Sequence, residues 1–399
     1  MLKTELVNIT NGQGDYFINE KQWVSRTLFN QIPLALPKAI VLSGIRRCGK
    51  STLMKLLHQK KGINAAYLHF DDPRLTTFEV ADFYTLEEIW ENKKQFQYDE
   101  IQQINGWEKY VRHAVERKMQ LYITGSNAQL LSKELGTLLT GRHLTFELFP
   151  FSYKEYLTFK KLKPNKKSFD GYFKEGGFPE ALQYKMPSYH HELYNDIVQR
   201  DIAVRYGLRN LPDFNKVALH LINNLARPFT LSRLAKNYQI KSVKSVADYT
   251  QMLCNAYLIY IIPRFTYSVR QQQNNPKKVY IVDQAFARQN STQLSNGFGR
   301  ILENMVYMHL RHKHAEIYYF QEKNECDFVA VEKGKHQLYQ VCWQLDRHNK
   351  DREFNGIAEA MQFFNLKKAK LITYNEEDTY NIKGVGKVEI IPFWKWMGK

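Results

Sequence analysis

The chain has 399 residues, a formal net charge of +17 and 44% hydrophobic residues, a length sufficient for about two to four domains with cores of their own. Aromatic residues make up 14% of it, which excludes a disordered tail protein. The basic excess is concentrated between residues 151 and 300, where 23 Lys and Arg face 10 Asp and Glu, a net of +13. This predicts a polyanionic partner, nucleic acid first, with solvated surface lysines as the alternative.

Cysteine spacing and apolar runs exclude several further classes. Cys48, Cys254, Cys326 and Cys342 are far apart and form no Cys-x-x-Cys pair, which argues against a zinc site and a disulfide framework. Residues 1–14 contain no apolar core of a signal peptide, and no apolar run reaches the length of a membrane span. We therefore expect a cytoplasmic protein without a membrane partner.

The hydrophobic pattern predicts an α/β fold in the first part of the chain. Strands over 39–42, 65–70 and 121–124 alternate with helices over 51–58 and 107–118, after a helical lead-in over 15–35. Such alternation is typical of a parallel sheet. After Pro150 the pattern becomes helical, and three short helices with a β-hairpin between 211 and 283 predict a winged helix. A separate small α/β unit follows from about residue 297.

Residues 44–51 read Gly-Ile-Arg-Arg-Cys-Gly-Lys-Ser and fit the phosphate-binding pattern G-x-x-x-x-G-K-[ST] in full. Glycines let the backbone curl around a phosphate, and the following helix points its positive end at it. Lys50 would reach the β and γ oxygens, and the Ser51 hydroxyl would bind Mg²⁺. The predicted ligand is ATP with Mg²⁺, and the predicted binding residues are Gly44, Ile45, Arg46, Arg47, Cys48, Gly49, Lys50, Ser51 and Thr52.

An acidic pair, Asp99 and Glu100, follows the next predicted strand. Asp99 is expected to hold the Mg²⁺ shell, and Glu100 to orient and deprotonate the attacking water as catalytic base. Gln97 interrupts the apolar run of this strand, so a surface acidic pair is the alternative.

Two further positions complete the predicted catalytic set. The strand over 121–124 ends in small polar residues, and Ser126 or Asn127 is expected to position the water near the γ-phosphate. Arg142 is a candidate arginine finger or sensor that acts in cis or across the interface of a homo-oligomer. A surface ion pair is the alternative for Arg142.

The motifs recur in the order of a known family. They are Gly44–Ser51, Asp71–Arg74, Asp99–Gln102, Thr124–Asn127, Gly141-Arg142, Pro150–Glu155, Gly176–Glu180, Arg200-Asp201 and Lys278–Asp283. In this order they resemble the prokaryotic AAA-superfamily ATPases with a C-terminal domain of unknown function. The resemblance implies an AAA-type P-loop domain, a winged-helix domain and a degenerate restriction-endonuclease-like domain of the PD-(D/E)XK type. We place them at 1–157, 158–290 and 291–399.

The basic middle of the chain contains a helix-turn-helix pattern over residues 229–256. Lys241, Lys244 and Ser245 would face the phosphates or base edges of DNA, and Arg270 would lie in the wing. The alternative is a winged helix that serves as a structural lid or binds a protein.

The resemblance to restriction endonucleases implies a metal site with acidic ligands and a lysine in the C-terminal domain. The matching ligands are Glu303, Asp327 and Gln340. Cys342 stands where the lysine is expected, and a neutral thiol cannot replace an ammonium. We expect an inactive, structural or nucleic-acid-binding domain, with Lys335 or Lys350 as the alternatives for the missing lysine.

Three functions follow from these motifs. The preferred one is a Mg²⁺-dependent, ATP-hydrolysing AAA-type ATPase, a slow nucleotide switch coupled to DNA or to a partner. The alternatives are an ATP-regulated DNA nuclease and a nucleotide-dependent DNA-binding adaptor that does not hydrolyse ATP.

Overall fold

The computed structural model describes residues 1–18, 24–34, 36–60, 65–93, 95–126, 139–290 and 297–398. The chain divides into two units, Met1–Pro150 with Asn255–Tyr257 and Phe151–Cys254 with Leu258–Lys399. Across these described ranges, no helix is both long enough and apolar enough to cross a membrane.

A parallel sheet forms the centre of the first unit. Its strands are β1 (Ala39–Ser43), β2 (Ala65–His69), β3 (Gln95–Asp99), β4 (Gln120–Gly125) and β5 (His143–Glu147), in the order β2-β3-β4-β1-β5. The helices are α1 (Lys3–Ile18), α2 (Lys50–Lys60), α3 (Asp82–Ile89) and α4 (Trp107–Glu116), with 3₁₀ turns at Thr27–Gln31, Pro73–Leu75 and Ile101–Gln103. Strands β1 and β4 are buried along their whole length, as is typical of parallel sheets. The predicted alternation of strands and helices is confirmed.

The position of the helical lead-in, predicted over residues 15–35, is wrong. Helix α1 lies earlier, and only a 3₁₀ turn is present at Thr27–Gln31. Leu6 and Ile9 of α1 are buried in the core of the sheet unit. Packing therefore stabilises this helix, although Gly12 and Gly14 lower its intrinsic helix propensity.

The second unit begins with helices. They are α5 (Tyr153–Lys160), α6 (Lys166–Glu175), α7 (Pro179–Tyr184), α8 (Tyr189–Asp196), a π-helix over Ile197–Val204, α9 (Leu211–Asn223), α10 (Leu231–Asn237) and α11 (Val243–Asn255). A small antiparallel sheet consists of β6 (Pro228–Phe229), β7 (Ile259–Pro263) and β8 (Lys277–Ile281), in the order β6-β8-β7. The segment 268–276, expected to be a polar gap with Arg270 in a wing, instead contains helix α12 (Val269–Asn274). Ser268 caps this helix by accepting a hydrogen bond from the Gln271 N–H.

A mixed six-stranded sheet completes the second unit. Its strands are β9 (Glu316–Gln321), β10 (Glu325–Glu332), β11 (Lys335–Cys342), β12 (Lys368–Thr373), β13 (Asp378–Ile382) and β14 (Gly386–Pro392), in the order β13-β14-β12-β11-β10-β9. The accompanying helices are α13 (Gln284–Asn290), α14 (Phe298–Arg311), α15 (Lys350–Phe363) and α16 (Phe393–Gly398). Strand β13 was not predicted, because its residues are polar and mostly exposed at the sheet edge.

Two helical glycines of this unit differ in their surroundings and yield a stability prediction. A Cβ at Gly356 of α15 would lie 2.0 Å from the Glu325 carbonyl oxygen, whereas a Cβ at Gly299 of α14 would meet nothing within 4 Å. We expect Gly356→Ala to lower the free energy of unfolding by about 1–3 kcal/mol through overpacking. The control Gly299→Ala should be neutral or stabilising by up to about 1 kcal/mol. Scanning calorimetry distinguishes the two, and a Gly356→Ala variant as stable as the wild type would contradict the close approach of α15 to β10.

Candidate functional site

The P-loop connects β1 to α2, and glycine is required at its first position. Gly44 has φ +142°, a conformation that residues with side chains rarely adopt. A Cβ added at Gly44 would lie 2.1 Å from the carbonyl oxygen of Leu148. Gly49, at the other end of the loop, has φ +101°. The loop thus follows a backbone path that depends on both glycines of the phosphate-binding pattern.

Lys50 is the first residue of α2, and its ammonium lies against the loop. The Nζ atom donates to the carbonyl oxygens of Gly44 at 3.1 Å and Ile45 at 3.2 Å. Ser51 and Thr52 follow in the first helical turn and are partly exposed. A phosphate at this helix end would meet the ammonium, the Ser51 hydroxyl and the positive end of the helix dipole together.

The other predicted loop residues differ in burial. Ile45 and Cys48 are buried, Arg46 is half-buried and Arg47 is exposed. Burial raises the pKa of the Cys48 thiol above its usual value, so Cys48 is a neutral packing residue.

Arg26 supports the loop from behind and was not identified from the sequence. Its guanidinium is buried and donates to the carbonyl oxygen of Cys48 at 2.8 Å and to that of Phe149. It therefore ties the P-loop to the segment that follows β5. No local pattern identifies this arginine, because its two acceptors are backbone groups distant in the sequence.

Asp99 ends β3 at the carboxyl edge of the sheet, the edge at which β1 leads into the P-loop. The residue is fully buried. Its Oδ2 accepts a hydrogen bond from the Tyr67 hydroxyl of β2 at 3.0 Å, and its Oδ1 accepts one from the Thr124 hydroxyl of β4. Two neutral donors on the neighbouring strands thus orient the carboxylate. Neither Tyr67 nor Thr124 was among the predicted site residues.

Glu100 follows with φ +53°, an uncommon conformation for a residue other than glycine. Its backbone N–H donates to the Thr124 hydroxyl at 2.9 Å, and its Oε2 accepts a hydrogen bond from the Gln102 amide. Thr124 therefore joins both acids through one hydroxyl, and Gln102 positions the Glu100 carboxylate.

Gln97, which interrupts the apolar pattern of β3, has a packing role. It is fully buried, and its Nε2 donates to the Met54 carbonyl oxygen in α2 at 3.3 Å. The strand is consequently regular as far as Asp99. The alternative of a surface acidic pair is wrong for Asp99, because the carboxylate lies inside the unit.

Two buried hydroxyls lie at the same edge of the sheet. Ser43 ends β1 beside Gly125 of β4, and Ser126 follows β4. Neither Oγ has a hydrogen-bond partner in the part of the chain that the structure describes. Buried hydroxyls without a partner call for an explanation, and a phosphate or its attacking water would satisfy them. Asn127, the other predicted water-positioning residue, lies outside the described residues.

Arg142 lies at the opposite edge of the sheet from the P-loop. Its carbonyl oxygen accepts a hydrogen bond from the N–H of Ala39, the first residue of β1, so about 15 Å of strand separates it from the loop. Its guanidinium pairs with Glu116 at 3.2 Å in a partly exposed ion pair. This placement contradicts a role for Arg142 in cis and agrees with the alternative of a surface ion pair.

The C-terminal candidates lie together, around a lysine that was not predicted. Lys278 of β8 contacts Glu303 of α14 and Asp327 of β10. The Gln340 amide oxygen accepts the Asp327 N–H at 3.1 Å. Burial, followed by the charge of Asp327, raises the pKa of Glu303 to about 8. The expectation that Lys335 or Lys350 supplies the lysine is wrong, since Lys278 occupies that place.

The candidate DNA contacts lie near the start of α11 and on α12. Lys241, Lys244 and Arg270 are exposed, and Ser245 is half-buried. Ser242 caps α11 by accepting the Ser245 N–H at 3.4 Å.

Three family models match the chain in succession. An AAA domain matches residues 36–157, a domain of unknown function (DUF8612) matches 166–295, and another (DUF4143) matches 298–396. The first match includes the P-loop, the acidic pair and all five strands of the parallel sheet. The first unit therefore contains an AAA-type P-loop ATPase domain.

Solved structures resemble the chain only weakly. A STAND signal-transduction ATPase with a tetratricopeptide repeat sensor from Pyrococcus horikoshii is 13% identical with a TM-score of 0.30, over 74% of this chain and 46% of that one. This chain thus spans less than half of that ATPase. Cdc6p from Pyrobaculum aerophilum is 10% identical with a TM-score of 0.24, over 76% and 93% of the two chains. At such TM-scores we draw no conclusion from either structure.

Two relatives match most of the chain in sequence. An uncharacterized protein of Haemophilus influenzae is 28% identical over 342 residues, 78% of this chain and 84% of that protein. The uncharacterized protein MJ1544 of Methanocaldococcus jannaschii is 31% identical over 399 residues, 92% of this chain and 89% of that protein. The chain therefore belongs to the protein family that includes MJ1544, with an AAA-type ATPase domain in its first unit.

Proposed function

We propose that this protein hydrolyses Mg²⁺-bound ATP and uses the nucleotide as a switch. The observation that carries the proposal is the common position of the P-loop and of the Asp99–Glu100 pair at the carboxyl edge of one parallel sheet. Strand β4 lies between β1 and β3, so the two groups are roughly 10 Å apart at the usual strand spacing. A triphosphate with its metal ion spans such a distance.

The oxygen ligands at this edge suit the metal ion of the substrate Mg²⁺–ATP. Mg²⁺ prefers hydroxyl and carboxylate oxygens and keeps several of its waters. Ser51 supplies a hydroxyl in the first turn of α2. Each oxygen of Asp99 accepts one hydrogen bond from a neutral hydroxyl, so each retains lone pairs for a metal-bound water. When bound, the ion would neutralise charge on the phosphates.

The side chains around the phosphates then have distinct roles. Lys50 would exchange its two carbonyl acceptors for the β and γ oxygens. Glu100 would accept a proton from the attacking water, because its carboxylate is held at the same edge by Gln102. Arg142 is proposed to act only across a subunit interface, if it acts in catalysis.

The roles of Lys50 and Glu100 can be separated by substitution. We expect Glu100→Gln to lower the steady-state rate of phosphate release at least about 100-fold while ATP affinity is kept, because only proton transfer is lost. Lys50→Ala should weaken ATP binding itself, which calorimetry measures. Glu91→Gln, at an exposed glutamate of the same unit, is the matched control. Full turnover in Glu100→Gln would exclude it as the base.

Thr124 offers a second test, since its hydroxyl contacts both acids. Thr124→Val keeps the shape of the side chain but leaves the buried Asp99 with one donor fewer, and we expect kcat to fall about 10- to 100-fold. Thr124→Ser retains the hydroxyl and should stay within about threefold of the wild type, a level at which an intact hydrogen bond is expected. Equal rates in the valine and serine variants would show that the hydroxyl does not position the acids.

We further propose that the second unit contains a winged-helix domain that binds DNA, formed by α9–α11 with β6–β8 within 158–290, followed by a degenerate nuclease-like domain at 291–399. What favours DNA over a protein partner is the net charge of +13 between residues 151 and 300, together with the exposure of Lys241, Lys244 and Arg270. Contacts of such side chains with phosphates give salt-dependent affinity and no sequence preference.

Duplex DNA at low salt should stimulate ATP hydrolysis if the two functions are coupled. We expect the triple variant Lys241→Ala/Lys244→Ala/Arg270→Ala to lose this stimulation and to bind DNA at least about tenfold more weakly in fluorescence anisotropy. The control triple Lys333→Ala/Lys335→Ala/Lys383→Ala removes the same charge from other exposed positions. Equal DNA binding by the two triples, or hydrolysis that is indifferent to DNA, would favour a protein partner.

A further inference from the structure

A buried ammonium is enclosed by carboxylates in the second unit. Lys278 is 1% exposed, and its Nζ lies 3.0 Å from Glu303 Oε1, 2.8 Å from Glu325 Oε1 and 3.2 Å from Asp327 Oδ1. An ammonium has three N–H donors, so each donor here has one carboxylate oxygen. These distances suit charged hydrogen bonds and exceed the 2.0–2.6 Å typical of Mg²⁺ and Ca²⁺ ligands.

We propose that the Lys278 ammonium is the resident cation of this acidic site and stands where the resemblance to nucleases implies a divalent metal. The acids would then serve as a structural joint between β8 and the C-terminal sheet and not as a nuclease centre. The proposal concerns the second unit alone and is independent of ATP hydrolysis by the first.

The remaining contacts of the acids support this assignment. Asp327 Oδ2 accepts the Val341 N–H at 2.9 Å, and Glu303 Oε1 also accepts the Tyr280 hydroxyl at 2.8 Å. The Gln340 amide oxygen, its only metal-binding atom, faces the Asp327 N–H. In the described part of the chain, no group of three His, Cys, Asp or Glu residues is arranged to hold a metal ion. The residues therefore do not fit a divalent ion while Lys278 is in place.

Lys278 is held in this position by a second contact between the same two elements. The Asn304 side chain, next to Glu303 on α14, accepts the Ile281 N–H at 2.7 Å and donates to the Ile281 carbonyl oxygen at 2.9 Å. This pair fixes the register of β8 against α14, so the ammonium is directed at the acids by backbone position. Burial alone would lower the pKa of Lys278, but the surrounding carboxylates outweigh it and hold that pKa well above the usual value.

Removal of the ammonium should convert the joint into a metal site. In nucleotide-free full-length protein, we expect Lys278→Met to bind one Mn²⁺ per chain at least about tenfold more tightly than the wild type, because its buried acids lack a cation. Mn²⁺ should also raise the Tm of this variant and leave that of the wild type nearly unchanged. A folded Lys278→Met protein without added Mn²⁺ affinity would overturn the proposal.

Two further measurements keep the proposal testable if Lys278→Met does not fold. Lys278→Met/Glu303→Gln removes one charge of each sign, and it should fold more stably than Lys278→Met because less negative charge is left unpaired. In the wild-type background, Glu303→Gln/Asp327→Asn should leave Mn²⁺ binding unchanged, since the proposal gives the wild-type site no metal. Loss of Mn²⁺ binding in that variant, or nicking of DNA by the wild type with Mn²⁺, would overturn it.

Discussion

The buried carboxylate of Asp99 is the group on which the first unit depends. A charge in this position must be matched by hydrogen bonds, and here the donors are hydroxyls on the strands at either side, Tyr67 and Thr124. Because all five strands are parallel, these donors lie at the edge where β1 leads into the P-loop. The packing of the sheet therefore also places the acids beside the phosphate-binding loop.

The two units satisfy their buried acids in opposite ways. In the first unit, neutral hydroxyls hold Asp99, which leaves its negative charge available to a cation that arrives with a nucleotide. In the second, the fixed ammonium of Lys278 takes the donor positions around Glu303, Glu325 and Asp327. The same requirement, that a buried charge has a partner, thus supports a switchable site in one unit and a permanent joint in the other.

Sequence reasoning succeeded where the determinants are local. The glycines and lysine of the P-loop, the strand ending at Asp99 and the positive-φ Gly384 between β13 and β14 are each recognisable within a few residues. It failed where partners are distant in the chain. Arg26 meets carbonyl groups of Cys48 and Phe149, and Lys278 meets acids 25 and 49 residues away. The edge at which Arg142 lies follows from the direction of β5, which local patterns do not determine.

The central claim is that Asp99 provides the metal-binding charge of an ATP-hydrolysing site. The most direct measurement is the rate of ATP hydrolysis as a function of Mg²⁺ concentration for the wild type and for Asp99→Asn, which keeps the size of the side chain and removes its charge. The account predicts that the Mg²⁺ concentration for half-maximal rate rises at least about tenfold in the variant, with a lower maximal rate. Superimposable Mg²⁺ curves for the two proteins would contradict it.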